Sequence, residues 1–88
     1  MAYNEWMDLL DAMRLLKALV AAGANTRTPM ASTWVHKIAM RDMSLQGTEL
    51  ASAIAYAEAE RWFADSRTKR DWIYLTRLGQ HVAKEGVI

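Results

Sequence analysis

The chain has 88 residues, a length that fits one domain with a modest hydrophobic core. Hydrophobic residues make up 52% of it and four residues are Trp, which excludes the composition of a disordered chain. Because it contains no Cys, disulfide bridges and thiolate metal sites are excluded, and a reducing compartment suits the composition. The formal net charge is only +1, so the distribution of charge along the chain is more informative than the total.

The first predicted element is a helix with Asn4 as its cap and Gly23 as its stop. Its apolar face follows helical spacing and is interrupted only by Lys17: Trp6, Leu9, Leu10, Met13, Leu16 and Val20. A second row widens the apolar surface beyond a single contact stripe: Ala12, Leu15 and Leu19. Two interpretations follow, a domain that packs on both sides of this helix or a homodimer formed through its extra face. We favour the first, because two-sided burial is common for the first helix of a small domain.

The N-terminal region has no sign of a targeting leader. It carries three acidic residues, Glu5, Asp8 and Asp11, where a leader is basic, and the apolar run at residues 18–24 is too short to span a bilayer. We therefore expect a cytoplasmic protein with no membrane partner.

Two further helices are predicted in the middle of the chain. A polar connection at residues 25–29 leaves room for one short extended pairing at residues 28–30. The next helix carries apolar residues at helical spacing, has Ser32 and Thr33 as capping candidates and ends near Asp42: Trp34, Val35, Ile38 and Ala39. A break at residues 43–47 precedes a third, Ala-rich helix that runs to about Glu60, with its apolar positions at Leu50, Ile54 and Ala57.

The C-terminal third predicts a hairpin that runs directly into a helix. A short apolar run at residues 61–64, a polar and basic turn at 65–70 and a β-favouring run at 71–75 form the hairpin. Thr76 is placed to cap the last helix, and Leu75 to close the hairpin onto the core. We expect Gly79 to let that helix approach a neighbour closely, and two apolar residues to continue the buried stripe: Leu78 and Val82.

Catalysis and metal binding find no support in the residue pattern. The two His, His36 and His81, are far apart and lack a carboxylate at metal-ligand spacing or a Ser partner, and no Gly-rich loop precedes a helix. We expect neither an enzyme nor a cofactor. The four Trp fall near predicted core faces of four elements, which predicts one shared aromatic core: Trp6, Trp34, Trp62 and Trp72.

The order helix, helix, short turn, helix, hairpin, helix over residues 8–83 resembles the winged helix-turn-helix of MarR-like and PadR-like regulators. Three groups of residues carry the resemblance: Ile38-Ala39, the apolar positions Leu50, Ile54 and Ala57, and Tyr74-Leu75-Thr76-Arg77-Leu78-Gly79, which is similar to the Y-L-T-x-x-G exit from the wing. It implies a mainly α fold with a small β-hairpin. This fold is a single domain over residues 1–88 with a three-helix core, a two-stranded wing and a short C-terminal helix.

The resemblance also implies a DNA-binding transcriptional regulator that acts as a homodimer, with the third helix in the major groove and the wing on the backbone. The exposed start of the third helix is expected to include Glu49 and Ala53. The implied DNA-binding residues are Thr33, Lys37 and Arg41 on the second helix, Gln46, Thr48, Ser52 and Tyr56 on the third, and Arg67, Lys69 and Arg70 in the wing.

The third helix departs from this pattern. Residues 44–60 carry three Glu and no Lys or Arg, whereas residues 66–77 carry four cations and one Asp. Carboxylates on a reading helix are repelled by phosphates. The alternative is a winged helix that binds another protein and has no sequence-specific DNA readout.

Overall fold

The structure, a computed structural model, describes residues 2–67 and 69–85, with side chains from Met7 onward. In this part of the chain, four helices and three strands follow in order: α1 (Ala2–Ala21), β1 (Met30–Ala31), α2 (Ser32–Met43), α3 (Gly47–Ala59), β2 (Phe63–Asp65), β3 (Trp72–Leu75) and α4 (Arg77–Glu85). The fold is mainly helical with a small antiparallel sheet, as the sequence predicts.

The sheet has three strands in the order β1-β3-β2, so the predicted count of two is wrong. Met30 pairs with Ile73 and Ala31 with Trp72, which moves the short extended pairing from the predicted residues 28–30 to the two that follow Pro29. Pro has no N–H to donate to a ladder, so pairing begins after it. A strand of two residues is too short to produce a periodic signal in the sequence.

The central helix α1 packs against α2, α3 and α4. Its fully buried residues share one face at helical spacing: Ala12, Leu15, Leu16 and Leu19. The centre of the core is therefore the predicted second row together with Leu16, which the periodicity places in the first row. Leu9, Met13 and Val20 are half-buried and pack against its edge, which supports packing on two sides of the helix. The homodimer stays a prediction.

The ends of α1 and α2 agree only in part with the capping and stop residues predicted from the sequence. Gly23 has φ +108° and its N–H donates to the Val20 carbonyl at 3.0 Å, which confirms the stop of α1 there. Asn4 lies inside α1 and does not cap it. Ala31 takes the N-cap position of α2 without a side-chain hydrogen bond, so the predicted caps Ser32 and Thr33 are wrong. The Ser32 N–H instead donates to the Asp71 carbonyl at 3.0 Å, which ties α2 to the sheet.

The predicted Trp core is only partly correct. Trp62 is buried in the core, whereas Trp34 and Trp72 are half-buried and line a surface cavity of about 310 Å³ beside the end of α1. The side chain of Trp6 lies outside the described residues.

The junction between the hairpin and α4 is built around the backbone of Trp62. Its carbonyl accepts the Thr76 N–H at 3.0 Å, and the Thr76 hydroxyl lies 2.6 Å from the Arg61 carbonyl and 3.0 Å from that of Trp62. The same hydroxyl oxygen accepts the Gly79 N–H at 2.9 Å, so Thr76 caps α4 as predicted.

The buried face of α4 is displaced by one residue from the expected stripe. Gly79, Val82 and Ala83 are buried, but Leu78 is 48% exposed, so its predicted burial is wrong. Each residue turns a helix by about 100°, which rotates Leu78 away from the face that Gly79 and Val82 occupy. Leu75, at the end of β3, is 1% exposed and closes the hairpin onto the core as expected.

A left-handed Arg residue joins α3 to the hairpin. Arg61 has φ +64°, its N–H donates to the Glu58 carbonyl at 3.0 Å, and the next N–H, of Trp62, donates to that of Ala57 at 2.8 Å. This is the helix-ending arrangement in which Gly is the usual residue, because a Cβ is strained at positive φ.

We expect Arg61→Gly to raise the free energy of unfolding by about 0.5–1 kcal/mol, since relief of the left-handed strain exceeds the added freedom of Gly in the unfolded chain. Urea denaturation followed by circular dichroism measures the change. Arg61→Ala is the matched control, because it removes the charge and keeps the Cβ. Equal stability of the Gly and Ala variants would contradict the assignment of strain to this residue.

Candidate nucleic-acid interface

The predicted residues of α2 share one exposed face. Thr33, Lys37 and Arg41 follow one another at four-residue intervals, and all three are exposed. His36 and Met40 lie beside them and are also exposed. The helix therefore presents a polar face with two cations to solvent.

One of these cations is already paired. The Arg41 guanidinium donates from Nε to Asp42 Oδ1 at 2.7 Å and from a terminal nitrogen to Oδ2 at 3.3 Å. The hydrogen bond with Arg41 holds the pKa of the Asp42 carboxyl below its usual value, and the same bond raises the pKa of Arg41. Exposed pairs of this kind add little stability. The partner does, however, offset the charge of Arg41, which leaves Lys37 as the uncompensated cation of this face.

The exposed residues of α3 are mostly small, and one of them, Glu49, is charged. Gln46 and Thr48 are exposed and Ser52 is half-buried, beside exposed Ala51 and Ala55. The expected exposure of Ala53 is wrong: it is fully buried, because it lies with the other core-facing residues of the helix, Leu50 and Ala57. Among the described residues of α3, the charged side chains are Glu49, which is exposed, and Glu58, which is half-buried.

Tyr56 is held against the core. Its ring meets that of buried Trp62 edge to face, with centroids 5.8 Å apart and planes at 62°. The side chain is half-buried. Packing on Trp62 fixes the ring at the C-terminal half of α3, away from the Gln46 and Thr48 end of the helix.

The turn between β2 and β3 carries the three predicted cations, Arg67, Lys69 and Arg70, all exposed. The Lys69 N–H donates to Ser66 Oγ at 3.1 Å, a local hydrogen bond that shapes the turn. Lys69 Nζ also lies 4.2 Å from the centre of the Trp72 ring, within cation–π distance. These contacts give Lys69 a preferred position. Thr68 lies outside the described residues.

Two clefts bring predicted residues into contact with other elements. A cleft of about 460 Å³ between α2 and the start of α3 places Gln46 beside His36 and Met40. A second cleft, of about 430 Å³, lies between α2, α3 and the hairpin, and Arg70 is the predicted site residue among those that line it. Its lining residues are Ser32, Val35, Ile54, Glu58, Asp65, Ser66, Arg70, Asp71, Trp72 and Ile73. Thr33, Lys37 and Arg41 do not line either cleft, nor do Thr48 and Ser52.

The second cleft contains an acidic pair that the sequence interpretation missed. Burial and, next, a hydrogen bond with Asp65 raise the pKa of Glu58. Alternation along β2 places Asp65 on the same side of the strand as buried Phe63, although Asp65 itself is exposed. Its contact with α3 depends on tertiary structure and has no signature in the sequence.

No group of three or more His, Asp or Glu side chains in the described part of the chain is arranged to hold a metal ion. The described helices also include none with the length and apolarity to cross a membrane. The chain matches no protein-family model, no curated protein and no solved structure. Function is therefore inferred from the geometry of these residues.

Proposed function

We propose that this protein is a small winged helix-turn-helix regulator that binds double-stranded DNA, with the β2–β3 hairpin as the wing. One observation carries the proposal: α2 and α3 are joined by a three-residue turn and followed by an antiparallel hairpin whose tip exposes three cations, Arg67, Lys69 and Arg70. In this arrangement α3 inserts into the major groove and the wing contacts the phosphate backbone.

The charge distribution favours backbone affinity over base readout. The wing cations, together with Lys37 on α2, supply the contacts to phosphates that dominate the affinity for duplex DNA. On α3, Gln46 and Thr48 offer hydrogen bonds, and the short side chains beside them permit close approach to the groove. We therefore expect binding with strong salt dependence and modest sequence preference.

Changing Arg67, Lys69 and Arg70 together to Ala is expected to weaken binding to generic duplex DNA and to flatten its salt dependence. Each lost phosphate contact lowers the slope of log K against log salt by about 0.9, so the loss of all three lowers it by about 2.7. Fluorescence anisotropy of a labelled duplex at several salt concentrations measures both quantities.

A second triple variant controls for net charge. Changing Arg14, Lys17 and Lys84 to Ala removes the same number of cations from exposed positions on α1 and α4, outside the proposed interface. Its salt slope should stay close to that of the wild type. Salt-independent wild-type binding, no binding at all, or equal effects of the two triple variants would each overturn DNA binding through the wing.

A second candidate function is a protein-interaction module on the same fold. The exposed surface of α3 favours it, because it combines small Ala51 and Ala55 with acidic Glu49, and no Lys or Arg is present on the helix. The salt titration separates the candidates, since a module of this kind retains no salt-dependent affinity for duplex DNA.

A further inference from the structure

Trp72 links the tip of the wing to the sheet. The Nζ atom of Lys69 lies 4.2 Å from the centre of the Trp72 ring. The Trp72 carbonyl accepts the Ser66 N–H at 2.9 Å, and Ser66 Oγ in turn accepts the Lys69 N–H at 3.1 Å. These contacts therefore hold both the backbone of the turn at Lys69 and the end of its side chain.

The Trp72 ring is carried by a well-anchored part of the backbone. Trp72 is the first residue of β3, the central strand of the sheet, and it pairs with Ala31 of β1 on one side. Its hydrogen bond with Ser66 continues the β2–β3 ladder on the other side. A Lys side chain, by contrast, has a large rotamer entropy, which any ordered contact must overcome. The sheet therefore supplies a fixed partner for a side chain that is otherwise mobile.

An aromatic partner leaves the charge of Lys69 available to a phosphate. On α2, the Asp42 carboxylate pairs with Arg41 and offsets its charge. An indole ring carries no net charge, so a cation held on its face keeps its attraction for an anion. Among the wing cations that the structure describes, Lys69 has such a ring contact, whereas Arg67 and Arg70 have none.

We propose that Trp72 is a positioning residue of the DNA interface, whose ring holds the Lys69 ammonium in place before the duplex binds. The inference rests on the proposed function, because it names how one cation of the wing is held for its phosphate. A side chain that is ordered in advance loses less conformational freedom on binding, and the affinity is correspondingly higher. Trp72 acts through Lys69 and needs no contact of its own with DNA.

Loss of the ring and loss of the charge should have different effects on DNA binding. Trp72→Leu is expected to raise the dissociation constant about two- to fivefold, the range of an exposed cation–π contact. It should leave the salt slope unchanged, because the slope follows the number of phosphates that are neutralised. Lys69→Met, which keeps an unbranched side chain without the charge, should lower the slope by about 0.9.

The test is a double-variant cycle, measured by fluorescence anisotropy of a labelled duplex at several salt concentrations. In a Lys69→Met background, Trp72→Leu should have no further effect on affinity, whereas a merely structural role would weaken binding equally in both backgrounds. Trp72→Phe keeps a ring and should recover part of the affinity. Trp34→Leu is the matched control, because it removes another half-buried Trp and should leave the affinity close to that of the wild type.

Proton NMR of the wild-type protein provides a readout that needs neither DNA nor a variant. The ε-methylene protons of Lys69 should be shifted upfield by the Trp72 ring, relative to those of exposed Lys37. Equal shifts for the two Lys residues would rule out the ring contact. A shifted Lys69 signal with equal effects of Trp72→Leu in the two backgrounds would refute the positioning role and leave DNA binding intact. Absence of duplex binding at every salt concentration would overturn the proposed function and the positioning role together.

Discussion

Gly79→Ala is expected to lower the free energy of unfolding by about 2–4 kcal/mol, although Ala is the better helix former. A Cβ at this position would collide with the Trp62 carbonyl oxygen and would lie 2.9 Å from Leu75 Cδ1. Neither neighbour yields easily. The carbonyl is held by the Thr76 N–H at 3.0 Å, and Leu75 is buried in the core.

The two physical effects at Gly79 have opposite signs, which makes the measurement decisive. Helix propensity alone predicts that Ala stabilises α4 by about 1 kcal/mol, whereas the collision predicts a loss. Gly47→Ala is the control, because a Cβ there meets nothing within 4 Å and the positive φ of 62° is its source of strain. We expect about 1 kcal/mol from that strain. Urea denaturation compares both variants with the wild type, and a Gly79→Ala protein of unchanged or higher stability would refute the close approach.

Leu19→Ala is expected to lower the free energy of unfolding by about 2–5 kcal/mol, because it leaves a cavity at the centre of the core. Leu19 is fully buried on α1, the helix that packs against the other three. Small domains have total stabilities of about 5–15 kcal/mol, so this variant should lose a large share of its stability. In a thermal melt each kcal/mol corresponds to about 4–8 °C for a chain of this size.

Leu10→Ala provides the matched comparison on the same helix. Leu10 is half-buried and does not pack against the core cluster, and the change in helix propensity is the same. We expect it to cost less than half of the Leu19→Ala value. Similar losses for the two variants would contradict the assignment of the core face of α1 to Ala12, Leu15, Leu16 and Leu19.

The junction at Thr76 and Gly79 is an example of structure that can be predicted from neighbouring residues in the sequence. The run of β-favouring residues before Thr76 predicts a strand that enters a capped helix, and the hydrogen bond from the Gly79 N–H to Thr76 Oγ1 has that geometry. A cap, a stop signal such as Gly23 and the Ala-rich α3 depend on residues within one helical turn. Interactions of this range leave a readable pattern in the chain.

Only some features of the candidate site can be predicted from the local sequence. Exposure of the basic turn follows from its composition, and the structure bears it out for Arg67, Lys69 and Arg70. The ion pair at Arg41 joins neighbouring residues, yet its formation depends on rotamers that the sequence does not specify. The ring contact of Tyr56 with Trp62 arises where α3 turns into the hairpin, which only the folded backbone defines.

The sequence by itself determined the order of the helices, the position of the hairpin and its basic tip, because periodicity and turn residues act locally. Tertiary structure decided the rest. Tertiary packing determines which apolar residues of α1 lie in the core, the pairing of β1 with the sheet, and the exposure of Leu78. It also brought Glu58 and Asp65 to the same cleft. These outcomes depend on which surfaces meet across the molecule, and a register or a helix rotation is set by the partner that packs against it.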